Sequence, residues 1–200
     1  MMVEVLERGD ITFFYRPTVQ PAEGPVEPGV QSFFVVLGAR GKHRRIRIGK
    51  KRMPAPSGER LWARVERVGS FQRVVGDQLQ SERYVTKTRG ERVQPAARAI
   101  AHGCYAFVRH DDHTHLAYRV DEPELEPDVP EEVRPPDAAS LIVLFERTPR
   151  TRATWTTVGE PAFLDEEGAE VVLVGVDDEP ERELGIDVLD GADSVLASRP

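Results

Sequence analysis

The chain has 200 residues, 40% hydrophobic and 30% charged, with a formal net charge of −7; this is a globular composition with one sizeable core, and it excludes a disordered or fibrous chain. Apolar runs such as Leu141–Phe145 and Val171–Val174 fall far short of the roughly 20 residues of a membrane helix, and the single cysteine, Cys104, excludes an internal disulfide and a thiolate-only zinc site. The acidic opening MMVEVLERGD has no basic stretch leading into an apolar one, so a cytoplasmic location is expected.

Charge is unevenly distributed. Residues 1–120 carry 21 Lys/Arg against 12 Asp/Glu, or +9, whereas residues 121–200 carry 6 against 22, or −16. Such halves either meet different partners or fold against each other, the acidic part screening the basic part. The expected organisation is a basic β-rich core over 1–120, an acidic Pro-rich linker over 121–137, a small acidic β/α extension over 138–185 and a frayed tail over 186–200.

In chain order, Val3 and Val5 open a strand that a turn around Gly9 ends, and Ile11, Phe13 and Tyr15 begin a second. Both faces of that second strand are largely apolar, which predicts a central position. Four prolines between Pro17 and Gly29 forbid ladder pairing and predict an exposed, mobile loop. Residues 31–38 read as a buried strand, and over 43–49 Arg44, Ile46 and Ile48 face one way while His43, Arg45 and Arg47 face the other. Leu61, Ala63 and Val65 share one side of the next strand. Ser70 then caps a short helix with Phe71, Val74, Val75 and Leu79 on one face.

Beyond a strand from Tyr84 to Thr88, residues 104–110 and 113–120 form an antiparallel hairpin in which His110 meets His113, Val108 meets His115 and Phe107 meets Leu116. Tyr105, Phe107, Leu116, Tyr118 and Val120 then face the core. Cys104, Ala106, Val108, His110, His113, His115, Ala117 and Arg119 share the opposite face, with room for a ligand beside the small residues. Asp121–Asp137 holds eight acids and five prolines in 17 residues, which predicts a stiff extended linker that buries almost nothing. Strands over 138–146 and 170–176, a loop over 147–162 and a short helix over 178–184 complete the reading.

No phosphate-binding Gly-Lys-Ser/Thr loop, dinucleotide fingerprint, nucleophile elbow or HExxH helix occurs in the sequence, so it offers no standard catalytic motif. Two sets of residues carry chemistry. Arg40–Arg52 packs eight Lys/Arg and no acid into 13 residues, and Arg45, Arg47, Lys50, Lys51 and Arg52 are candidate anion ligands from this strand, in balance with a solvated edge. Lys87, Arg89, Arg92 and Arg98, in a segment rich in glycine and proline, are the second group; guanidinium forks suit phosphate, and pairing with nearby acids is the structural alternative. Trp62, Tyr84 and Tyr105 are aromatics that could stack on bases, and each of them is assigned to the core. His110, His113 and His115 form a candidate site for a divalent transition metal, with Asp111, Asp112 or Cys104 completing the ligands, or a histidine-dependent catalytic face.

At TKTRGER (86–92), PAAR (95–98), HDDHTHLAY (110–118) and FLDEEGAEVVLVG (163–175), the chain resembles a conserved, uncharacterised family of bacterial and archaeal proteins, a resemblance that implies no activity. The opening GDITFFYRP with the strands and short helix after it is weakly similar to the compact β-barrels of the PUA-like group, many of which bind RNA or modified bases; that implies a fold. The expected class is therefore α+β, mainly β, a curved antiparallel sheet or barrel-like core with one short helix, plus a small acidic C-terminal unit. The expected function is binding of a polyanion, nucleic acid foremost, through the basic strand and the Arg-rich segment. An enzyme using the histidine cluster, and a protein-interaction module whose acidic tail screens its basic face, are the alternatives.

Overall fold

Alternation of apolar and polar residues along most of the chain produces strands with one buried face. In the computed structural model, which describes residues 3–123, 128–146, 155–185 and 187, eight of these strands close into an antiparallel barrel. They are β1 (Val3–Pro17), β3 (Val30–Ala39), β4 (Lys42–Ile48), β5 (Arg60–Gly69), β8 (Arg98–His110), β9 (His113–Pro123), β10 (Ala138–Glu146) and β12 (Glu170–Asp177). Around the barrel the order is β1, β3, β4, β5, β12, β10, β9, β8, and β8 returns to β1. The short β2 (Gln20–Pro21) joins β6 (Glu82–Thr86) and β7 (Gly90–Gln94) in a separate small sheet, and β11 (Trp155–Thr156) pairs with β10. No helix of the described residues is long and apolar enough to cross a membrane.

A barrel of eight strands is narrow enough for side chains to fill. Ile11, Phe13, Phe33, Leu37, Ile48, Leu61, Tyr105, Phe107, Tyr118, Leu141, Phe145 and Leu173 are among those that fill it. The hairpin register is as the alternation predicts: His110 pairs with His113, Val108 with His115 and Phe107 with Leu116, with the aromatic face inward. β1 is central between β3 and β8, and its second apolar face is covered from outside. There Phe14 stacks on Phe34 at 5.1 Å, and helix α1 (Phe71–Val75) lays Val74 and Val75 against them. Ser70 accepts the Arg73 amide as the expected N-cap. The helix stops short of Leu79, which stays 43% exposed, as does Phe71 at 44%.

Four expectations are corrected. The prolines after β1 do not forbid ladder pairing, since Gln20 pairs with Val93 and Pro21 with Arg92. Gly9 makes no turn: β1 runs unbroken through it, with a bulge between Val5 and Glu7. Glycine is required there because a Cβ would lie 2.0 Å from the Gly38 carbonyl oxygen of β3. The two strands assigned to an acidic extension are instead barrel staves, since β10 pairs with β9 and β12 with β5; their near-continuous apolar runs have no other partner long enough to bury them. Finally, the acidic segment is no bare linker. Val129 and the 3₁₀ turn Glu131–Val133 drop Val129 and Val133 into the main core, and the Val120 amide donates to the Asp137 carbonyl. The Pro-rich loop after β1 is tied back too, because Gln20 donates to the Thr18 and Glu27 carbonyls and accepts the Glu27 amide. The tail over 186–200 lies outside the described residues apart from Asp187, as does 147–154 of the loop expected over 147–162.

Candidate functional site

Period-two alternation on β4 sends Arg44 into the barrel mouth and Arg45 outward. Buried guanidinium groups need partners that replace water, and both find them. Arg44 donates to Asp165 at 2.7 Å and to Glu7 at 2.6 Å, while the Tyr105 hydroxyl donates to the same Glu7 oxygen at 2.7 Å. Burial works to lower the Arg44 pKa, but the Glu7 and Asp165 hydrogen bonds outweigh it and hold the charge firmly. Lys42 adds a 2.7 Å contact to Asp165.

Arg45 is 4% exposed. It donates to the Val74 carbonyl and to Asp77, each at 2.7 Å, lies 3.0 Å from Glu66 and stands over the Phe34 ring. It pins α1 to the barrel wall and is closed to a ligand. Arg47 also pairs with Glu66. Arg52 forks on Glu59 at 2.7 Å for each arm and Lys50 lies 3.3 Å from it; the Arg52 fork, then the Ala55 amide, pulls the Glu59 carboxyl down to about 2. Lys51 donates to the Val30 carbonyl. The basic stretch is thus largely neutralised, Lys50 and Arg52 by the nearby Glu59 and the β4 cations by acids 19 to 123 residues away, which a local charge run does not reveal.

The second group behaves differently. β6 and β7 form a hairpin whose residues 82–91 are largely exposed, anchored to the body through β2 by Gln20 against Val93 and Pro21 against Arg92. The turn is held by Thr86, which accepts the Arg89 amide and donates to the Gly90 carbonyl. Gly90 has φ +67°, the left-handed region that glycine enters freely. Lys87, Arg89 and Arg92 have no carboxylate partner among the described residues; Arg83 lies 3.5 Å from Glu91.

Arg98 sits below this hairpin at one end of the barrel. It forks on Asp128 at 2.7 and 3.0 Å, donates to the Tyr15 hydroxyl at 3.1 Å and stands over the Tyr15 ring. Together with Pro17, Pro28 and Pro95 these residues line a cavity of about 590 Å³.

The histidine face is covered. Helix α2 (Pro180–Leu184) sets Leu184 on Cys104, Ala106, Val108 and Ala117, filling the room expected for a ligand, and Glu181 lies 2.7 Å from Arg119. The three rings are neighbours, His110 and His113 lying 5.7 and 6.3 Å from His115 between centroids. Their nitrogens do not converge. His115 bonds Ser140 at 2.9 Å and His113 contacts Asp112 at 2.7 Å; among the described residues no three His, Cys, Asp or Glu side chains are arranged to hold a metal ion. Burial, reinforced by His110 and His113, pushes His115 down to about 4, and burial raises the Cys104 thiol to about 11, which leaves neither poised as a base or nucleophile at neutral pH.

These features define a closed antiparallel barrel with a projecting cationic hairpin. Comparison with protein-family models, with curated proteins and with solved structures finds no match.

Of the three aromatics assigned to the core, only Tyr105 is buried there. Tyr84 is 38% exposed on β6, and Trp62 is 56% exposed on the outer face of β5 between Arg60 and Arg64. The signal was present: once Leu61, Ala63 and Val65 face inward, residues 60, 62 and 64 must face outward.

Proposed function

We propose that the protein binds a polyanion, with nucleic acid as the class its cations suit. The observation that carries this reading is the hairpin over 82–94, where Lys87, Arg89 and Arg92 stand without carboxylate partners among the described residues, in contrast to the neutralised β4 run. Unpaired cations on an exposed hairpin are free to displace condensed counterions from a phosphate backbone. The weak likeness to PUA-like barrels, many of which bind RNA, agrees with the reading as a likeness of fold.

The test is fluorescence anisotropy of a labelled oligonucleotide over a salt series, with the native protein and a Lys87→Ala/Arg89→Ala/Arg92→Ala variant. Binding is expected to weaken linearly in log salt, and the variant to lose about 2–3 units of log–log slope, at roughly 0.9 per phosphate contact. Absent or salt-insensitive binding ends the reading. A second reading, an acidic segment that screens basic residues from a partner, is favoured by one contact, the Asp128 carboxylate seated on Arg98.

A further inference from the structure

Large aromatic side chains on a barrel wall normally face inward, where burial is most favourable. This chain has two tryptophans, and the fold places both on the outside. Trp62 lies on β5, and Trp155 lies on β11, which pairs beside β10 with Trp155 opposite Glu146, on the face away from the inward Phe145. Their rings meet edge to face at 5.1 Å and 82°. The ladder extends this pair into an apolar strip: Trp62 is paired with Val172 and Val172 with Leu144, while Arg60 is paired with Val174 and Val174 with Ile142. Each paired set shares a face of the sheet.

Arginines border the strip. Arg60 and Arg64 are exposed and have no carboxylate partner among the described residues, although Glu170 is the cross-strand neighbour of Arg64. Arg47, paired with Glu66, is the neighbour of Arg64 on β4. An exposed indole between two arginines on one strand combines a stacking surface with charges for phosphate. Arg60 and Arg64 are separated by about 13 Å of extended strand, with Trp62 midway.

We propose that this wall binds single-stranded nucleic acid, with an unpaired base stacked on Trp62 and phosphates met by Arg60 and Arg64. Single strands are the fitting class because a duplex hides the faces of its bases, which an indole needs. The inference rests on the polyanion reading and specifies its substrate.

Because both tryptophans lie here, tryptophan emission, excited beyond the absorption of the four tyrosines, reports on this wall. Oligothymidylate is expected to quench it, whereas heparin, a polyanion without bases, and a DNA duplex are expected to bind with little quenching. Trp62→Ala should weaken oligothymidylate binding by about ten- to a hundredfold, the range of a lost base stack, leave heparin affinity unchanged, and be partly rescued by Trp62→Phe. Unchanged oligothymidylate affinity in Trp62→Ala, or an equal loss of heparin affinity, overturns the stacking proposal. If binding then still depends on Lys87, Arg89 and Arg92, the polyanion reading survives it; if neither polymer binds, both fall.

Discussion

Arg44 and Arg45 are adjacent, identical in type and both buried, yet each is held by a different part of the chain. Arg44 is satisfied by Glu7 and Asp165, 37 and 121 residues away, and Arg45 is hydrogen-bonded by Asp77 and the end of α1, with the Glu66 charge 3.0 Å away. Removing one partner of such a pair strands the other charge, so these contacts specify the packing more than they add to stability. His115 shows the opposite strategy, a titratable group buried neutral. Its pKa of about 4 lies below its ordinary value because burial opposes charging, with His110 and His113 adding to the effect; Ser140 is its hydrogen-bond partner and Glu183 lies 3.8 Å away. A group whose folded pKa is depressed below its unfolded value near 6.5 contributes full stability above 6.5 and loses it as pH falls toward 4. Between pH 7.5 and 5 the native protein should therefore lose roughly 2 kcal/mol more than His115→Gln, at about 1.4 kcal/mol per pKa unit. Urea unfolding at the two pH values measures this; equal losses would remove the neutral-histidine account.

At the scale of elements, the acidic segment and the cationic hairpin exchange the roles that composition suggests. A stretch with eight acids and five prolines plugs the barrel, because two valines at a spacing of four, Val129 and Val133, meet the core through a single 3₁₀ turn. Composition averages over a segment, and packing needs only the residues that reach the interior. Val133→Ala should thus cost roughly 2 kcal/mol, as cavity-forming substitutions in a core do, and a thermal or urea titration would show it; a change within about 0.5 kcal/mol, typical of surface sites, would return the segment to linker status. The hairpin over 82–94 is its counterpart. It contributes to none of the core clusters and is held mainly by its own ladder and by β2, which suits an element whose role is to present side chains.

At the scale of the molecule, closure decides what is separable. The strands β10 and β12 lie between β9 and β5, and they bring Leu141, Val143, Phe145, Val171 and Leu173 to the interior. A fragment ending at residue 123 would keep six of the eight staves with β5 and β9 as open edges, an arrangement that exposes unpaired backbone and half a core. It should show no cooperative thermal transition by circular dichroism; a sharp transition would mean that residues 3–123 fold alone. Charge asymmetry between the two halves of the chain is therefore not a domain boundary, since the acids supplied from beyond residue 120 include Asp165 on Arg44 and Glu181 on Arg119.

The alternation of residues by itself determined most of the strands, the hairpin register from His110 to His113 and the inward aromatic face of that hairpin, because side-chain direction along a strand is a local property with period two. The two apolar faces of β1 likewise placed it between neighbours, and Ser70 marked the N-cap of α1. Only the tertiary structure decided which cations are paired: β4 carries four cations and no acid, the 82–94 hairpin four cations and two acids, yet it is β4 that Glu7, Glu66, Asp77 and Asp165 neutralise. Ion pairing at 2.6–3.0 Å between residues up to 123 positions apart follows from barrel closure, and no local pattern encodes it.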